Sequence, residues 1–124
     1  MMLLVGELSA NRELIVTLDV LDDTEERHTV RCLLNTGFGG YLTLSTSAVE
    51  VLGLPFAGDV EFELAGVPPR SVRRFRAVVE WQGELVTVSV LEVEGLPLVG
   101  MRLLYGSDLH AHLIDGGFAT LAAL

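Results

Sequence analysis

This chain predicts a mostly β domain with one or two short helices, and three observations carry that prediction. Apolar and polar residues alternate through most of the length, β-branched residues fill the alternating runs, and stretches with a helical period are few and short. Half of the 124 residues are apolar and a fifth are charged, the balance of a folded globular chain rather than a disordered one. The length, 1–124, is that of one domain and too small for two lobes. A site built from two halves would therefore need two chains.

The elements follow in order. Met2 to Leu8 and Glu13 to Leu21 read as strands joined through Ser9-Ala10-Asn11-Arg12. Asp22 to Arg27 is a charged turn, and His28 to Leu34 is a third strand that delivers Asn35 to its end. Tyr41 to Leu44 alternates again. Ser47-Ala48-Val49-Glu50 has the spacing of a capping box, with Ser at the N-cap and Glu at the third helical position. The helix runs to Leu52, where Gly53 takes the left-handed position and Pro55 bars continuation.

Asp59 to Ala65 is the next strand. Gly66-Val67-Pro68-Pro69 reads as a protruding hairpin tip, because two prolines without N–H groups cannot sit in a central ladder. Val72 to Trp81 and Leu85 to Val93 form a hairpin around Gln82-Gly83-Glu84. Pro97-Leu98-Val99-Gly100 leads into a helical turn, Met101 to Tyr105, closed by Gly106. Leu109 to Ile114, Asp115-Gly116-Gly117 and Phe118 to Leu121 make a last hairpin.

Composition excludes several functions. Seventeen acidic and eight basic residues give a net charge of -9, against any polyanion, since phosphate binding needs a basic stripe. Nucleic acid is not an expected partner. The one basic cluster, Arg70, Arg73, Arg74 and Arg76, reads as a solvated strand face or loop. Met1 to Val5 is too short for a membrane span or a signal segment, so a cytoplasmic chain with no membrane partner is expected. Cys32 stands alone in an apolar run and reads as a buried thiol.

The informative stretch is CLLNTGFGGYLTL, Cys32 to Leu44, where an Asn-Thr-Gly follows a strand and opens a glycine-rich loop. With Pro97-Leu98-Val99-Gly100-Met101, Leu103-Leu104 and Leu109 further on, the sequence resembles the small bacterial single-lobe members of the retropepsin-like aspartic proteases. The match runs in order from about Glu13 to Phe118. It implies a single-lobe, closed β fold of the acid-protease type. It also implies a homodimer with one catalytic position per chain, meeting on the twofold axis. The family has Asp where this chain has Asn35.

The chemistry explains why that exchange matters. Peptide hydrolysis by paired carboxyls needs one carboxylate to take a proton from water while its protonated neighbour polarises the carbonyl. Two carboxyls about 3 Å apart cannot both ionise, so they share one proton. Asn is nearly isosteric with a protonated Asp and still donates and accepts hydrogen bonds, but it takes up no proton at neutral pH. Expected is an aspartic endopeptidase disabled or nearly disabled at Asn35, whether engineered or a natural pseudo-protease. A non-catalytic peptide-binding or assembly module on the same fold is the alternative.

Under the resemblance, Asn35, Thr36 and Gly37 form the catalytic turn, with the Thr36 hydroxyl bonding across the dimer. Phe38, Gly39 and Gly40 border the substrate, Phe38 as a pocket wall and the glycines by letting backbone approach. Leu64, Ala65, Gly66 and Val67 belong to the flap that closes over an extended peptide or protein substrate. No cofactor is implied. The apolar ends, Met1 to Val5 and Phe118 to Leu124, are expected in the dimer interface.

Two rival constellations were weighed. Asp108, His110 and His112 alternate along one strand face, as divalent-metal ligands do, but no fourth ligand accompanies them, and no metal is expected. Ser45, Ser47 and Ser71 lack the G-x-S-x-G frame of a serine nucleophile.

Overall fold

The computed structural model describes residues 3–124. Ten strands and two short helices follow one another as β1 (Leu3–Leu8), β2 (Leu14–Leu21), β3 (Arg27–Leu34), β4 (Leu42–Leu44), α1 (Thr46–Leu52), β5 (Phe56–Leu64), β6 (Val67–Trp81), β7 (Glu84–Glu92), β8 (Leu98–Val99), α2 (Met101–Leu104), β9 (Ser107–Ala111) and β10 (Phe118–Ala123). The chain is mostly β, as its alternation predicts.

All ten strands belong to one sheet, ordered β5-β6-β7-β4-β8-β3-β2-β1-β10-β9. Two further pairs, Asp19↔Glu80 and Val20↔Val79, link β6 to β2. Strands β2, β3, β8, β4, β7 and β6 thus form a ring, with β1, β10 and β9 as an extension beyond it.

Period-two alternation supplies the core. Along β2, Val16, Leu18 and Val20 are buried while Thr17 is exposed; along β6, Phe75, Ala77, Val79 and Trp81 point the same way. With Leu42, Leu44, Val90, Val99 and Leu121 they make the main cluster. Each such side chain contributes on the order of 1.5–3 kcal/mol relative to exposure. The opposite face of β6 and β7 has its own cover: Val72 and Leu91 pack with Phe38 and Phe62 in a second cluster. The Asn35 loop is therefore pinned to the sheet through Phe38.

Turn chemistry sets the registers. Gln82 and Gly83 both have positive φ (51° and 85°) and join Trp81 to Glu84 in the two-residue geometry that matches strand twist. Gly53 ends α1 at φ 63°, donating its N–H to the Glu50 carbonyl.

Two details differ from the sequence expectation, one at the helix cap and one at the hairpin turn. The α1 cap is Ser45, not Ser47: the Ser45 Oγ accepts from the Ala48 N–H at 3.2 Å, and Ser47 instead bonds the Ser45 hydroxyl. The Glu94 carboxylate accepts the Thr46 N–H at 2.9 Å, satisfying another first-turn donor from outside the helix and starting it earlier.

The β5–β6 hairpin turn is Ala65-Gly66, and Pro68 and Pro69 lie within β6. They fit there because β6 is a ribbon with β5 alone at this point; pairing with β7 starts only at Arg74↔Leu91, so no neighbour needs a proline N–H.

The terminal strands pair with one another inside one chain. β1 lies between β2 and β10, and β10 between β1 and β9, so neither offers an open ladder to a partner. The expected interface at Met1 and Met2 lies outside the described residues. The outer sides of Val5 and Phe118 remain exposed.

Candidate active site at the Asn35 loop

Strand β3 ends where β8 begins to pair with it. The Leu33 N–H donates to Pro97 O at 2.8 Å, the Asn35 N–H to Val99 O at 2.9 Å, and the Leu98 N–H to the buried Thr43 hydroxyl at 2.9 Å. The two apolar segments singled out in the sequence, Leu33-Leu34 and Leu98-Val99, are parallel neighbours. β8 sits between β3 and β4 and positions Asn35 through its backbone.

The loop then folds on itself. Asn35 Oδ1 accepts the Gly37 N–H at 2.8 Å and Asn35 O accepts the Phe38 N–H at 3.1 Å, an Asx turn that orients the amide. Thr36 is exposed. Beyond it, the start of α2 holds the loop: the Met101 N–H donates to Phe38 O at 2.9 Å and the Arg102 N–H to Gly40 O at 3.1 Å. That close packing leaves no room at Gly100, whose Cβ would strike the Gly40 and Phe38 carbonyl oxygens and the Phe38 ring.

The hairpin tip comes down on the other side. Leu64 forms an isolated antiparallel bridge with Phe38, and the Ala65 N–H donates to Gly37 O at 3.1 Å. Thr36, Gly37 and Gly39 line, with Glu63, Leu64, Ala65, Val67 and Pro69, an open cleft of roughly 440 Å³ beside this junction; Asn35 is not among its lining residues. Gly66, at the turn, is exposed.

Phe38 is 1% exposed, packed 5.8 Å from the Phe62 ring, and holds the loop to the second core cluster. Gly40 is confined by the Phe38 ring, whereas a side chain at Gly39 would meet nothing within 4 Å. Gly39 is therefore not required by packing.

A second cleft, about 430 Å³, adjoins the loop and is lined by Phe38, Gly39, Gly40, Glu61, Glu63, Arg74 and Arg102 among others. Its charged residues escaped the sequence reading. The signal was the alternation of Val60, Phe62 and Leu64 with Glu61 and Glu63 on β5.

The arginine cluster itself is divided between partners. Arg73 makes a two-pronged bond to Glu92 (2.9 and 2.6 Å), Arg74 bonds Ala57 O, and Arg70 lies over the Phe62 ring. The Glu92 carboxylate raises the Arg73 guanidinium above its ordinary value.

Elsewhere, burial pushes the Cys32 thiol up to about 12, so it is no nucleophile. Asp108 and His110 approach at 3.2 Å, but His112 stacks on Phe118 instead (centroids 4.5 Å). Among the described residues no group of three His, Cys, Asp or Glu could hold a metal ion. No described helix is long and apolar enough to cross a membrane. A third cleft, roughly 320 Å³, lies between the Asp22–Glu25 turn and β6 and β7. It is mostly apolar, and of the acids lining it, Asp22 is already bonded by Thr24 and His28.

No protein-family model and no curated protein sequence matches this chain.

Proposed function

We propose that this chain is built as an aspartic endopeptidase of the retropepsin type, acting as a homodimer with one catalytic position per chain. In this form Asn35 replaces the acid and leaves it inactive or nearly so. The observation that supports the reading is the convergence on Asn35. Val99 O holds its backbone, the Gly37 N–H holds its side chain, and the β5–β6 tip lies over the same turn.

In that site an Asp at position 35 would accept the Gly37 N–H with one oxygen, which favours its ionised form, and leave the second oxygen for water. The same residue of a second copy would stay protonated and polarise the peptide carbonyl. Water attacks the carbonyl carbon as the carboxylate takes its proton; the C–N bond then breaks as the amine nitrogen receives a proton. Two Asn35 amides supply donors and acceptors but no base for the first step. An extended peptide would lie between the loop and the tip, pairing with exposed backbone. No cofactor takes part.

The test pairs the chain as it stands with Asn35→Asp on a mixed peptide library from acid to neutral pH. Cleavage by the Asp form alone supports the proposal. Equal rates overturn it, and saturable peptide binding without cleavage by either form favours the binding module.

A further inference from the structure

The two borders of the sheet are not alike. β5, at one end, carries Asp59, Glu61 and Glu63 at alternate positions, and its register with β6 is broken by irregularities at Phe56/Asp59 and Phe62/Leu64. Acids and bulges are devices that keep an edge from pairing. β9, at the other end, pairs with β10 over all five residues without a shift, and no described strand covers its outer side.

Which groups β9 presents outward follows from its inner ladder. The His112 N–H donates to Phe118 O and the Leu124 N–H to Gly106 O, and the register pairs His110 with Thr120 and Asp108 with Ala122. Bonded pairs alternate in an antiparallel ladder. Asp108 and His110 therefore spend their backbone groups on β10, while Ser107, Leu109 and Ala111 send theirs to the open side. Leu109 lies opposite Leu121, which is 1% exposed, yet is itself 40% exposed because the sheet stops there.

We infer that β9 pairs antiparallel with β9 of a second copy, centred on Leu109. That register makes Leu109↔Leu109 and Ser107↔Ala111 the bonded pairs, so every outward N–H of the strand meets a carbonyl. It places Asp108 of each copy opposite His110 of the other in the non-bonded pairs, where side chains come closest. Both are exposed, and the 3.2 Å approach they already make within one chain becomes part of a four-group cluster across the seam.

Moving the centre to Ser107 would set Asp108 opposite Gly106, and moving it to Ala111 would set His110 opposite His112. Only the Leu109 register uses the whole strand and matches its charges. It also covers the bare half of Leu109 with its twin. This edge would pair whatever the chemistry of the Asn35 loop.

The chain of residues 1–124, measured by sedimentation equilibrium at micromolar concentrations, should weigh twice its 13.4 kDa. His110→Asp, which faces Asp108 with a like charge, should weaken the dimer at least about tenfold. Asp108→Lys combined with His110→Asp should restore it to within about threefold.

Register is read by oxidation. Leu109→Cys puts two thiols at a bonded pair, about 5.5 Å between Cα atoms, within disulfide range, whereas Ala111→Cys faces Ser107 and should not crosslink with itself. Cys32 is buried and does not interfere. A monomeric wild type, an unweakened His110→Asp dimer, a double variant that fails to recover, or equal crosslinking at 109 and 111 would each overturn the interface. Circular dichroism separates loss of pairing from loss of fold, and the Leu109→Cys result stands even if His110→Asp unfolds. A dimer that forms elsewhere leaves the peptidase proposal intact, whereas a β9-paired dimer whose Asn35→Asp form cleaves nothing overturns only that proposal.

Discussion

Ala65 donates its backbone N–H to the Gly37 carbonyl across 3.1 Å, so the hairpin tip holds an acceptor next to Asn35 that an extended peptide would otherwise find free. On the peptidase proposal, entry of a peptide requires this bond to yield. Ala65→Pro deletes the donor at a turn position where proline's φ is acceptable. Amides flanking the tip should exchange at least about tenfold faster in that variant, while global stability falls by only about 0.5–1.5 kcal/mol, the net worth of one hydrogen bond. Native-state hydrogen exchange reads both.

Asn35→Asp should raise peptide cleavage by at least ~10²-fold, because a positioned base contributes on that order. Release of a fluorogenic peptide, with rates extrapolated to equal enzyme concentration, is the measurement.

Gly100→Ala forces a methyl group against the Gly40 and Phe38 carbonyls. Overpacking at a site walled by backbone should lower stability by about 1–3 kcal/mol, seen as a reduced urea midpoint. The same change should lower activity in an Asn35→Asp background, since the loop that carries position 35 shifts with it.

Ser45→Ala removes the side-chain acceptor for the Ala48 N–H and should destabilise by about 1 kcal/mol. Ser47→Ala, two residues later, should stay within about 0.5 kcal/mol. Thermal melts of the two variants distinguish the observed cap from the one the sequence indicated.

The Thr24 hydroxyl, then His28, hold the Asp22 carboxyl well below its ordinary value of 3.8. A depressed carboxylate favours the folded state while ionised, fully so above its unfolded value, and the advantage is lost as pH falls through the folded one. Asp22→Asn should therefore lower Tm at neutral pH, with the gap to wild type narrowing progressively below about pH 4. Melts across an acid series check the sign.

Much of this was legible in the chain before folding. The strand ending at Leu34, the Gly53 stop and the Gln82-Gly83 turn follow from alternation and local backbone preference, and the structure has them. What sequence patterning misplaced depended on neighbours. Ser45 and Ser47 are equally good caps until Glu94, from a distant loop, fixes the first turn. Pro68 and Pro69 read as a turn because nothing local reveals that β7 stops short of them. The convergence of Leu98-Val99 on Asn35 could be anticipated only as two similar short motifs; the Thr43 hydroxyl that anchors it was hidden inside an apolar run. Arg74 and Arg102 were invisible as cleft residues because their roles depend on which face of the sheet the Phe38 plug covers.

The contrast between β5 and β9 sets a limit on growth. A sheet adhesive along both borders could add molecules end to end and run into fibrils. Here the acidic border repels its own kind, so sheet extension is confined to the β9 edge, and association through that edge terminates at two.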